Sequence, residues 1–192
     1  MADPRLQIIP LGGLGEFGMN CLAVRWQDDI LVIDAGLMFP ESELLGVDVV
    51  VPDISYLIEN KEHVRGIILT HGHEDHIGGL PWILSELNVP VYATEFTLAY
   101  VEGKLEEHKM LDDSELIEIV PEAKFALGAF TIEPIRVTPS LSPAPTFALF
   151  SLSVKHSFLP RNRRRLPDTR ASSEYRVAMP IEIRDASEAS GR

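Results

Sequence analysis

At 192 residues the chain is long enough for one domain with a real core, and 45% hydrophobic with 24% charged residues is an ordinary globular balance. No run approaches the roughly 18 apolar residues of a membrane span, MADPRLQIIP lacks the charged and apolar regions of a secretory leader, and Cys21 is the single cysteine. Disulfides and a Cys-based zinc site are therefore excluded, neither a membrane span nor a secretory leader is expected, a cytoplasmic location is expected, and the net charge of −12 argues against nonspecific coating of nucleic acid.

In chain order, LQIIPL (Leu6–Leu11) and ILVID (Ile30–Asp34) read as buried strands. Between them lies GLGEFG (Gly13–Gly18), which matches G-x-G-x-x-G after a strand, with Asp34 near the ribose-holding position of a dinucleotide-binding unit. Met19, Leu22, Ala23 and Trp26 fit a helical face for that reading. NCLAVRW also alternates like a strand, and Gln27-Asp28-Asp29 then closes a hairpin to ILVID. The plainer reading is a glycine-rich turn between two strands.

GIILT (Gly66–Thr70) is a β-branched strand that runs straight into THGHEDHIGG. HIGGLPWILSEL (His76–Leu87) predicts a helix with Gly78, Gly79 and Pro81 in its first turns. VPVYAT is the next strand. EFTLAYVEGKLEEH (Glu95–His108) predicts a helix with Phe96, Tyr100 and Leu105 near one face. ELIEIV, KFALGAF and TIEPIRVT suggest consecutive antiparallel strands. Helices with a mixed sheet give an α/β class.

The charge total hides a break. Residues 1–138 carry 24 acidic and 8 basic residues, whereas residues 139–192 carry 5 and 9. Twelve of the 13 glycines precede residue 139, while serine rises from 4 to 9 and arginine from 4 to 8 across it. Such a shift marks a domain boundary or a disordered tail.

The histidine cluster carries the chemistry. His71 and His73 follow a strand and can point to one side of a strand-end loop. Asp75 and His76 sit at the mouth of the next helix. Imidazole and carboxylate suit Zn²⁺ or Mn²⁺, and the cluster offers two ligands to each of two ions. Two ions roughly 3.5–4 Å apart can activate a water and stabilise both oxygens of a phosphodiester displacement. The bland alternative is a polar loop with chance histidines, which H-x-H-x-D-H spacing behind an apolar strand disfavours.

His71, His73, Asp75 and His76 match the signature of the metallo-β-lactamase superfamily. LGGLGEFGMNC, VIDAGLMFPE, GVDVVVPDISYL, THGHEDHIGGLPWIL, NVPVYAT and EGKLEEH together resemble the bacterial ribonuclease J family, of the β-CASP branch, over roughly residues 5–138. Glu74 is typical of the nucleic-acid-processing branch. The resemblance implies an αββα sandwich, here incomplete at about its first half. It implies two divalent ions, zinc or manganese, with His71 and His73 on one and Asp75 and His76 on the other. Asp34 matches an early aspartate that supports the site from behind the ligands. Asp75, or a neighbouring carboxylate, would handle the proton of the attacking water. RNA is the implied partner, and the family is usually oligomeric.

The match stops at residue 138. Pro139 in RVTPSLSPAP stands where the family has a third histidine. Further on, LPRNRRR replaces the stretch that supplies a bridging aspartate, and no acid comes before Asp168. His156 lies in VKHSF, which matches no family motif. Residues 1–138 are expected to be the amino-terminal half of a metallo-β-lactamase domain, and 139–192 an unrelated, disordered or out-of-frame tail. RNRRR (Arg161–Arg165) reads as a solvated segment before it reads as an RNA contact. Three functions stay open: a ribonuclease J-like RNA hydrolase, a small-molecule ester or thioester hydrolase of the same superfamily, and an inactive truncated product.

Overall fold

A computed structural model describes residues 5–15, 17–40, 46–137, 147–155 and 174–178. Pro139, His156, Arg161–Arg165 and Asp168 lie outside the described residues, and so does most of the expected tail.

Among the described residues there are two sheets. The first has six strands in chain order: β1 (Leu6–Gly12), β2 (Cys21–Trp26), β3 (Asp29–Ile33), β4 (Val64–Ile68), β5 (Val91–Ala93) and β6 (Leu116–Glu118). β1, β2 and β3 pair antiparallel, and β3 to β6 pair parallel. The parallel steps need crossovers, which α1 (Ser55–Glu59), α2 (Glu74–Ile77) with α3 (Leu80–Leu87), and α4 (Glu95–Glu107) provide. The second sheet pairs β7 (Phe125–Leu127), β8 (Phe130–Val137), β9 (Phe147–Lys155) and β10 (Glu174–Ala178) antiparallel.

The central strands are apolar on both faces because both faces are covered. Cys21, Ala23, Ile30, Val32 and Ile67 pack with Leu57, Ile83, Leu84, Val101 and Leu105 of the helices. The alternate residues Leu22, Val24, Trp26, Leu31, Ile33 and Ile68 pack with Ile119, Phe130 and Ile132 toward the second sheet. This is an α/β/β stack, the first three layers of an αββα sandwich.

NCLAVRW forms strand β2 and hairpins into β3 through Gln27, which has φ 55°. A helix after GLGEFG, as a dinucleotide site requires, is therefore absent there. Several expectations are corrected. β1 is an edge strand with Ile8 exposed, not a buried one. β6 joins the first sheet parallel to β5, and the antiparallel run begins only at β7. α4 buries Thr97, Leu98, Val101 and Leu105, while Phe96 and Tyr100 face outward.

The helix expected over 76–87 is two helices. An unbroken helix would bond the Gly79 amide to the Asp75 carbonyl. Instead Gly79 N donates to Ala35 O at 2.7 Å, and Asp75 O accepts Asn20 N at 3.0 Å. Loops on either side capture the groups that would have continued the helix.

Phe130 is 1% exposed and joins the two sheets. Truncating it leaves a cavity, so Phe130→Ala should cost about 3–5 kcal/mol in urea unfolding. Phe96→Ala, on the outward face of α4, should cost about 1 kcal/mol or less. Equal losses at the two positions would show that the assigned interior is wrong.

Candidate metal centre

The site forms where parallel strands β3 and β4 end, the usual crevice of such sheets. Asp34 directly follows β3 and Thr70 shortly follows β4. Asp34 is 5% exposed and has φ 61°, a left-handed conformation that aspartate tolerates better than most residues. Its Oδ1 accepts the Thr70 amide at 2.8 Å and the Thr70 hydroxyl at 2.9 Å. Its Oδ2 lies 2.7 Å from His76 Nδ1. A carboxylate only accepts, so Nδ1 carries a proton, and in the neutral ring Nε2 presents its lone pair outward.

Of the other ligand candidates, Asp75 and His71 lie beside His76, and His73 lies beside His71. His71 and His76 have ring centroids 3.9 Å apart, and His71 and His73 4.6 Å. Asp75 Oδ2 lies 3.4 Å from His76 Nε2. Thr70 Oγ1 is 3.0 Å from His71 Nδ1, so one hydroxyl links Asp34 to a second histidine. The structure thus brings His71, His73, Asp75 and His76 together, with Asp34 behind them.

The main chain holds the group from below. His76 O accepts Ala35 N at 2.7 Å, and Glu74 O accepts Leu37 N at 3.0 Å. Gly36 lies against the Asp75 carbonyl so closely that a Cβ there would overlap it. Glu74 points away and pairs with Lys104 of α4 at 2.9 Å.

Burial pushes His71 down to about 3, with the neighbouring His76 and His73 adding to the fall. Burial also pulls His76 down, but its hydrogen bond to Asp34 and the charges of Asp34 and Asp75 outweigh this and hold it above the ordinary value. Cys21, behind the site, is pushed up to about 12 by burial and by Asp34, so it is an inert thiol.

Donor types and the direction of His76 Nε2 fit a divalent ion. Among the described residues, however, no group of three or more His, Cys, Asp or Glu side chains is placed to hold one. The set is a partial one.

The profile of the Metallo-beta-lactamase superfamily matches residues 14–155. The chain belongs to the metallo-β-lactamase superfamily. Ribonuclease J 1 of Streptococcus pyogenes serotype M3 is 41% identical over 138 residues, which is 72% of this chain and 24% of that protein. Ribonuclease J2 of Bacillus subtilis is 51% identical over 114 residues, 59% of this chain and 20% of that one. The chain thus spans about a quarter or less of these relatives. Zn(2+)-bound PqqB from Methylobacterium extorquens shares the fold, with a TM-score of 0.51 at 19% identity over 70% of this chain and 49% of that one. The superfamily implies divalent metal ions.

Two residues escaped the sequence reading. In sequence Thr70 reads only as a strand end, and Asn20 only as the first residue of the alternating segment NCLAVRW. Asn20 Nδ2 reaches the Asp75 carbonyl at 3.0 Å and His76 Nε2 at 3.2 Å. Their only signal in sequence is adjacency to the strand ends that carry Asp34 and His71.

In the metal-free protein, NMR titration should find His71 neutral well below pH 6.5 and His76 titrating above it. Asp34→Asn should lower the His76 value, since both the charge and the accepting oxygen are weakened. The stability signs follow. The raised His76 adds stability that is complete below 6.5 and lost as pH rises through its folded value. The depressed His71 penalises folding as pH falls from 6.5 toward about 3. Indistinguishable titrations for the two rings would overturn this assignment.

Proposed function

We propose that this chain is the amino-terminal part of a metal-dependent RNA hydrolase of ribonuclease J type. The observation that carries the reading is the identity of 41% over 138 residues to a protein named Ribonuclease J 1, across the segment that holds the histidine group. His71 and His73 would hold one divalent ion, and Asp75 and His76 a second. Zinc is the favoured metal and manganese the alternative, because three imidazoles with one carboxylate suit both. When bound, the ions supply an activated water and stabilise charge on the phosphodiester oxygens.

The chain's own residues do the rest. Asp34 fixes the His76 tautomer and, through Thr70, steadies His71. Asp75, partly exposed beside His76, is the group that would take the proton of the attacking water. We propose RNA as the substrate and a cytoplasmic setting. No helix among the described residues is long and apolar enough to cross a membrane.

Residues 1–138 are proposed as the amino-terminal half of the domain, and 139–192, of which the superfamily profile covers only the stretch to residue 155, as largely unrelated to it in this reading frame. Pro139 in place of the expected histidine favours a second reading, an inactive truncated product. The coding DNA decides between a shifted frame and an authentic tail. One other frame should restore a histidine after Arg136-Val137-Thr138 and a glycine-aspartate pair further on. If neither frame does, β9, whose backbone lies beside β8, belongs to an authentic continuation.

With two ligands per ion, zinc binding followed by calorimetry should be weak. It should weaken further as pH falls through the raised His76 value, because the proton must leave Nε2 for an ion to bind. Labelled RNA and a thioester, each offered with zinc or manganese, test the activity. Slow RNA cleavage that disappears in His71→Ala and Asp75→Ala is expected. Thioester turnover without RNA cleavage would sink the reading, and zinc uptake without any turnover would favour the inactive product.

A further inference from the structure

Asn20 occupies an unusual place for a residue outside the ligand motif. Its Nδ2 lies 3.0 Å from the Asp75 carbonyl, 3.3 Å from Asp75 Oδ2 and 3.2 Å from His76 Nε2. Its main chain is fixed independently of the side chain. Asn20 N donates to Asp75 O at 3.0 Å, and Asn20 O accepts Gly36 N at 3.0 Å.

The proton positions follow from the partners. Two of the three neighbours of Nδ2 are oxygens that only accept, so the NH₂ end of the amide faces the motif. The third, His76 Nε2, bears a lone pair when the ring is neutral, because Nδ1 then keeps the proton it donates to Asp34. One amide proton is taken by the Asp75 carbonyl. The other falls between Asp75 Oδ2 and His76 Nε2.

Those two atoms are only 3.4 Å apart. A carboxylate oxygen and an imidazole lone pair repel at that distance unless something positive lies between them. In the metal-free chain, the Asn20 amide proton fills that role. It aims at the same two lone pairs that an arriving ion would take.

We propose that Asn20 is a positioning residue for metal capture: its amide holds Asp75 Oδ2 and His76 Nε2 turned toward a common point, and yields both to the ion while keeping the Asp75 carbonyl. This rests on the metal-site reading above. The carbonyl bond matters, because it keeps the displaced amide near the site, while the break between α2 and α3 is held separately by main-chain bonds.

The test uses the full chain. In ¹⁵N NMR of the metal-free protein, at a pH above the His76 titration where the ring is neutral, Asn20→Ala should move the His76 Nε2 resonance toward that of an imidazole nitrogen accepting no hydrogen bond. Nδ1 should stay put on Asp34. Zinc affinity by calorimetry should fall roughly 10- to 100-fold, the usual cost of losing such an outer partner. A merely structural loss would not move Nε2 selectively. If wild type takes up zinc and Asn20→Ala binds it equally well, this inference fails alone. If wild type takes up no zinc, the metal reading fails with it. Should Asn20→Ala not fold, zinc added to wild type must shift the Asn20 Nδ2 resonance, and an unmoved resonance overturns the proposal.

Discussion

The site depends on one buried carboxylate. Asp34 sits in a left-handed backbone conformation at the end of β3, almost sealed from water. Each of these is unfavourable alone. The strained backbone costs on the order of 1–3 kcal/mol. A buried, unpaired charge would cost far more. What offsets both is a set of hydrogen bonds from Thr70 and His76, each worth about 1.5–3 kcal/mol because the acceptor is charged. The same bonds connect β3, the end of β4 and α2. The strain is therefore coupled to assembly of the site, since the conformation that puts Asp34 inside is the one that lets it hold His76.

The main chain repeats this coupling. Glu74, Asp75 and His76 carry carbonyls that a longer helix would use internally. The Asp75 and His76 carbonyls accept Asn20 N and Ala35 N instead, and the Glu74 carbonyl takes Leu37 N in addition to its helical bond from Gly78 N. α2 stops after one turn, and the motif becomes a short arch bonded to two loops. Its backbone bonds are satisfied by neighbours, so the side chains of Asp75 and His76 are set by tertiary structure rather than by helix geometry. The tight approach of Gly36 to the Asp75 carbonyl belongs to the same arrangement.

This explains what the sequence disclosed and what it withheld. The ligand spacing was legible, because a strand, a loop and a helix start impose a short repeat on residues that must meet. The β2–β3 hairpin was legible from alternation. The split at Gly78–Gly79 was not, because its cause lies some 40 residues away in Ala35. Asn20 and Thr70 were missed for the same reason, as each acts on atoms that are distant in sequence or contributed by another loop. The face of α4 was misread because Phe96 and Tyr100 pack edge to face with each other on the surface, and the core takes the smaller Thr97, Leu98 and Val101. β1 was misread as buried since an edge strand can be as apolar as a central one when its neighbours cover only part of it.

Two histidines in contact respond oppositely to one environment. Burial acts on both His71 and His76, and at His76 a carboxylate bonded to Nδ1 outweighs it. His71 leans on the Thr70 hydroxyl, which carries no charge to offset burial. The pair therefore divides into a ring kept neutral across the physiological range and a ring that keeps affinity for a proton. A neutral imidazole is ready for a cation, whereas the second must exchange its proton first. Asp34 sets this difference and also presents the His76 lone pair in a fixed direction. The carboxylate that orients His76 thus also raises its affinity for a proton, and both effects follow from the one bond between Asp34 and Nδ1.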